Sequence, residues 1–146
     1  MTVLSDYSLR VLMYLAARPE RRATIQEVAE AYAISENHLM KVVHGLAKVG
    51  LVKTVRGRGG GLCLARDASR ITIGQVLRAV EEDFDLVECL GEDDRCRITS
   101  VCRLKRVLKR ALDAYLGELD NWTLAEVVGR PKVLLGALGI EATVPR

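Results

Sequence analysis

Three of the four cysteines, Cys89, Cys96 and Cys102, fall within 14 residues at the spacing C-x6-C-x5-C. Their neighbours are polar and charged, a poor setting for burial as small apolar side chains. Thiolates are soft ligands that suit zinc or an iron–sulfur cluster. Structural zinc sites favour close C-x2-C pairs and four protein ligands, and neither is visible here. The wide spacing fits the larger footprint of a cluster, whose iron atoms are spread apart. Three thiols leave a cluster one ligand short. The fourth must come from elsewhere in the chain, from a second subunit or from solvent. Cys63 qualifies by chemistry, but its place among Leu62, Leu64 and Ala65 points to a structural role.

A second set of residues suits nucleic acid. The segment Ser35–Lys48 has apolar positions at Leu39, Val42, Val43 and Leu46, which leaves Glu36, Asn37, His38, Lys41 and Lys48 on the other face. Asn can pair with adenine edges and Lys can reach guanine or phosphate. Arg56 and Arg58 alternate with glycines in Arg56-Gly57-Arg58-Gly59-Gly60-Gly61, a basic tip able to touch phosphates or a minor groove. The two histidines, His38 and His44, have no evident nucleophile or base to work with. No nucleotide-binding glycine motif follows a strand. Enzymatic function is therefore not expected.

The elements that position these residues are legible from caps and periodicity. Ser5 is expected to cap a helix from Asp6 to Ala17, stopped by Pro19. Thr24-Ile25-Gln26-Glu27 forms a capping box for a short second helix, and Ser35 caps the third. Two short helices joined by a tight turn are helix-turn-helix geometry. Leu51–Val55 and Leu62–Ala65 read as the strands of a hairpin around the basic tip. Thr72 caps a helix over Ile73–Val80. Residues 81–99 are acidic and aperiodic, a length uncommon in a loop without function. From Ser100 to Leu119 an apolar stripe runs through Val101, Leu104, Leu108, Leu112, Tyr115 and Leu119, with Cys102 in the first turn, where the helix dipole favours thiolate. Such a helix, lying outside a head with its own core, is expected to pack against a second copy. Thr123-Leu124-Ala125-Glu126 opens one more short helix.

The fold class is therefore mainly α with a small β-wing. Residues 1–80 form a winged helix-turn-helix, 81–102 a cysteine-bearing loop, 100–128 a dimerisation helix with a short helix after it, and 129–146 a Gly-rich, loosely held tail. Composition agrees. Among 146 residues only 6 are aromatic, which suits helical packing by Leu, Val, Ile and Ala. The net charge is +3, but residues 1–66 carry 10 Lys and Arg against 5 Asp and Glu, while the rest carry 12 against 14. A basic front half suits a nucleic-acid module. No segment reads as a signal peptide or membrane span, so a cytoplasmic location is expected. In a reducing cytoplasm, metal or redox chemistry is the better reading of clustered cysteines than disulfides.

Five segments together resemble the iron–sulfur winged-helix repressors of the NsrR and IscR family. They are Ser5-Asp6-Tyr7-Ser8-Leu9-Arg10, Asn37-His38-Leu39-Met40-Lys41-Val42, the wing Val55 to Gly61, Cys96 to Lys105, and Leu119-Asp120-Asn121-Trp122-Thr123-Leu124. The likeness is greatest to the nitric-oxide-sensing branch. Members of the other branch carry a His three residues after the last cysteine, and here that position is Lys105. The resemblance implies a 4Fe–4S cluster on Cys89, Cys96 and Cys102 of one subunit and Asp6 of its partner, with Arg10 orienting Asp6 as an i,i+4 pair. It also implies a homodimer on a palindromic operator, with nitric oxide as effector and detoxification genes as targets. The alternatives are a 2Fe–2S regulator of redox or iron–sulfur status and a zinc-stabilised binding module without a sensing role.

Overall fold

A computed structural model describes residues 1–140. The first helix, α1, spans Val3–Ala17. It begins one turn earlier than expected, because Thr2 and not Ser5 is the cap: its Oγ1 accepts from the Ser5 amide at 3.3 Å. Ser5 is instead fully buried and donates from Oγ to Glu81 Oε1 at 2.6 Å, a partner 76 residues away. The Thr2 amide donates to the same oxygen at 2.6 Å. Burial alone would raise the Glu81 carboxyl, but these hydrogen bonds and the nearby amino terminus hold it below its ordinary value.

Helix α2 (Ile25–Tyr32) starts at the capping box of Thr24 and Glu27 and stops at Ala33 in a left-handed conformation. Helix α3 (Glu36–Lys48) starts at Ser35. Strands β1 (Val52–Val55) and β2 (Gly61–Leu64) pair antiparallel, with Val52 opposite Leu64 and Val55 opposite Gly61. Ala23 adds a single bridge to Leu62 on the far side of β2, tying the α1–α2 connection to the wing. Helix α4 (Ile73–Val80) is capped by Thr72 as expected, and Gln75 completes a capping box there. The chain then runs irregularly to α5 (Arg103–Asp120), apart from one 3-10 turn at Glu88–Leu90.

Helix α1 is the centre of the head. Its Val11 and Leu12 are completely buried, and it touches α3, α4, α6 (Leu124–Val128) and α7 (Pro131–Ala137). Leu124 closes the far side, fully buried, with its amide donating to Ile71 O at 2.7 Å. Helix α7 corrects the expectation of a loose tail. Pro131 pre-sets its first turn, where the missing N–H is not needed. Leu135 is 5% exposed and packs with Ala17 and Val128. Residues 141–146, the rest of that expected tail, lie outside the described residues.

Helix α5 is different in kind. Its 18 residues make a rod of about 27 Å, and none is buried. Leu104 and Val107 are each about 60% exposed, and Val101 just before the helix is 78% exposed. The inner edge, near Leu108, Leu112 and Leu119, is half-buried. The helix is held to the head at α4, where Arg78 pairs with Asp120 through two hydrogen bonds of 2.6 and 2.8 Å. Among the described residues no helix is long and apolar enough to cross a membrane.

Leu124→Ala should destabilise the fold by about 2–5 kcal/mol, the range for emptying a fully buried leucine site. Urea unfolding followed by circular dichroism measures it.

Candidate nucleic-acid interface and thiol site

Helix α3 separates its two faces cleanly. Leu39, Val42, Val43 and Leu46 are buried, while Ser35, Asn37, His38, Lys41, His44 and Lys48 are exposed. Ser35 is at once the cap, with Oγ accepting from the His38 amide at 3.3 Å, and the entry point of the exposed face. Capping by a side chain leaves the other amides of the first turn free for an anion.

The wing carries Arg56 and Arg58, both exposed. The tip closes through the Gly60 amide donating to Gly57 O at 2.9 Å. A side chain at Gly60 would collide with the Val55 carbonyl, so the close return of the backbone requires glycine there. Arg22, which the sequence reading left unassigned, donates to Gly59 O at 3.0 Å. It fastens the wing to the turn ahead of α2.

The three thiols lie where the irregular segment meets α5, and each is half-buried and free. Cys89 sits in the 3-10 turn. Cys96 is held at its amide by Asp94 Oδ1 at 3.1 Å. Cys102 is the residue before the first turn of α5, not within it, and occupies the cap position without a side-chain hydrogen bond. The organising group of this segment is Asp94, which sequence reasoning missed. Its carboxylate also accepts from Thr99 Oγ1 at 2.8 Å and pairs with Lys105 Nζ at 3.3 Å. The Thr99 hydroxyl, helped by the Cys96 amide and Lys105, holds the Asp94 carboxyl below its ordinary value against the opposing effect of burial. Lys105 therefore has a structural job at the position noted above. Glu88 joins the two ends of the loop by accepting from the Arg95 amide at 3.2 Å.

Asp6 stands on the first turn of α1, half-exposed, and its carboxylate faces the Arg10 guanidinium at 2.9 and 3.1 Å. Arg10 also lies 5.9 Å from the Tyr7 ring and 5.8 Å from the Tyr32 ring of α2. The Tyr7 ring is 6.4 Å from that of His38. A chain of side-chain contacts thus runs from Asp6 to the exposed face of α3. Among the described residues no group of three or more His, Cys, Asp or Glu is gathered tightly enough for one metal ion. The three cysteines and Asp6 of a single chain are thus not drawn to one point. A cluster spreads its ligands over several irons, and three free thiols on one short segment suit that donor set.

Two capped helices, a basic wing and an outlying amphipathic helix define a winged helix-turn-helix regulator. The chain belongs to the Rrf2 family, described as iron-dependent transcriptional regulators, whose model matches residues 1–130. It is 51% identical over 130 residues to the HTH-type transcriptional regulator NsrR of Bacillus subtilis (strain 168), covering 88% of this chain and 89% of that protein. It is 44% identical over 139 residues to the NsrR of Oceanobacillus iheyensis, covering 94% and 95%. Among solved structures it resembles CymR, the global cysteine regulator of B. subtilis, with a TM-score of 0.72 at 28% identity over 88% of this chain and 95% of that one. It also resembles T. potens IscR, with a TM-score of 0.71 at 27% identity over 88% and 85%. The chain is a regulator of this family and not an enzyme.

Replacing Asp94 by Ala removes the acceptor for one amide and one hydroxyl. With these holds on the segment gone, alkylation of Cys96 and Cys102 should be faster than in the parent protein. Cys63 should be unaffected. Mass spectrometry after timed iodoacetamide treatment reads both.

Proposed function

We propose that the chain is a DNA-binding repressor that carries an iron–sulfur cluster, 4Fe–4S in preference to 2Fe–2S, and releases its operator in response to nitric oxide. The observation that carries this reading is the set of three free, half-buried thiols on the segment that enters an exposed amphipathic helix. The 44–51% identity to regulators named NsrR adds weight.

Cys89, Cys96 and Cys102 supply three ligands and Asp6 of the partner subunit the fourth. A carboxylate is the odd donor among thiolates and the corner most easily given up. The bound cluster would supply iron that reacts with nitric oxide. The rest of the work falls to the chain. The exposed stripe that runs from Val101, just ahead of α5, along the helix to Tyr115 buries itself against the same stripe of a second copy. That sets the two α3 helices at a fixed separation for successive half-sites of a palindrome.

Asp6 then has two alternative partners, the metal centre of the other subunit and Arg10 of its own chain. When it pairs with Arg10, as here, the guanidinium beside Tyr7 and Tyr32 is partly neutralised. When Asp6 is held by the partner, Arg10 is free to press its charge on those rings. The first turn of α1 shifts accordingly, and Tyr7 transmits the shift to His38. A coupling of about 1–3 kcal/mol between the two sites is enough for a large change in operator occupancy.

On DNA, Asn37, His38 and Lys41 face base edges, while Ser35, Arg56 and Arg58 meet phosphates or the minor groove. Removing Arg56 should weaken binding about equally across sequences and lower the salt slope by about one. Removing Asn37 should cost about 1–3 kcal/mol at one base pair only.

Protein purified without oxygen should be brown, with broad absorption near about 400 nm. Nitric oxide should bleach it in step with loss of operator binding, and Cys96→Ser should abolish both. A colourless protein with stoichiometric zinc, or operator binding indifferent to nitric oxide, would contradict the reading.

A further inference from the structure

At the end of α1 remote from Asp6, a cavity of about 290 Å³ opens between the helix and the root of the wing. Arg18, Arg21 and Arg66 line it, together with Cys63 and a single carboxylate, Asp67. Two of these groups are already satisfied. Arg21 pairs with Glu27 and donates to Arg22 O. Asp67 accepts from the Ser69 amide and hydroxyl at 2.8 and 2.6 Å. Arg66 is not satisfied in this way: among the described residues its side chain has one polar contact, Gln75 Oε1 at 3.5 Å.

Arg18 is the group that needs explaining. Its side chain is only 10% exposed. Among the described residues its side chain's polar contacts are the Tyr14 hydroxyl at 3.5 Å and the Glu20 carboxylate at 3.9 Å, both at the limit of useful interaction. A guanidinium carries five N–H donors in a rigid fork. A guanidinium on a side chain this buried, with one marginal hydrogen bond and one long ion pair, is costly unless something compensates it. The negative end of α1 favours a cation at this position, but it is the Arg18 backbone amide, not the guanidinium, that donates to a last-turn carbonyl, Leu15 O at 3.3 Å. A second guanidinium with unused donors lines the same cavity, and fork geometry matches the paired oxygens of phosphate or carboxylate.

We propose that this cavity is a binding site for a small oxyanion, a phosphate or a carboxylate, held by Arg18 and Arg66. Occupied, it ties the C-terminus of α1 to the strand that leaves the wing. Cys63, on the cavity wall, reports on occupancy through its accessibility.

The test uses the full-length protein at constant ionic strength, with inorganic phosphate in one arm, succinate in a second and chloride as reference. Thermal unfolding and iodoacetamide labelling of Cys63 are both followed. At least one oxyanion should raise the midpoint saturably and slow Cys63 labelling over the same concentration range. Arg18→Gln should weaken that response at least about tenfold, since a hydrogen bond to a charged group contributes about 1.5–3 kcal/mol. Arg66, on the exposed rim, gives a second variant, Arg66→Gln, should Arg18→Gln fail to fold, and the same weakening is expected there. The proposal is overturned if neither anion acts, or if both variants respond like the parent protein. It is also overturned if Arg18→Gln leaves the anion response intact while lowering the salt slope of operator binding by about one, because Arg18 is then a contact to a DNA phosphate.

Discussion

The burial of α1 sets the terms for everything else in this molecule. Val11 and Leu12 have no exposed surface, and five other helices close on this one. A helix so enclosed cannot adjust one end without being felt along its length, because packed interiors are close to crystal density and yield little. Its first turn reaches the rim and presents Asp6; its side meets α3, which presents the candidate DNA-reading residues; its last residue, Ala17, leads into Arg18 and the cavity at the wing root. The same constraint that makes the head stable makes α1 a rigid element shared by distant sites.

The tether at Glu81 fits this account. The side chain stands where α4 gives way to the cysteine-bearing segment, and it fastens Thr2 and Ser5 at the start of α1. Two parts of the chain that the proposed mechanism needs in register are thus joined by a single carboxylate with 7% exposure. Asp94 does comparable work inside the thiol segment, and Arg22 does it for the wing. Polar side chains, not the apolar core, set the fine position of each functional part.

Much of this was legible in the sequence because its signals are local. The capping boxes at Thr24 and Thr123 each need only four residues and stand as expected, as does the Thr72 cap. The glycines of the wing announce a turn that only glycine can make. The readings that missed depended on distant partners. Ser5 resembles a cap, but Glu81, far along the chain, claims its hydroxyl and Thr2 caps instead. Helix α7 lies in a Gly-rich stretch of weak propensity, and it forms because Leu135 finds Ala17 and Val128 to pack on. Arg22, Asp94 and the unsatisfied Arg18 carry no sequence signal, since each takes its meaning from tertiary neighbours. The thiol spacing was plain, but one chain alone does not bring its cysteines and Asp6 to a single point. The proposed site draws its fourth ligand, Asp6, from a second subunit.

A mixed dimer tests that claim most directly. One subunit carries Asp6→Ala and the other Cys96→Ser, each with a different affinity tag, and iron and sulfide are counted in the isolated hybrid. If Asp6 ligates across the interface, the Asp6→Ala subunit offers intact cysteines to the intact Asp6 of its mate. The hybrid should then hold one full cluster with the parent absorbance, while the other site stays defective. If ligation is within one chain, both sites are damaged and no parent-like cluster forms, which would contradict the account.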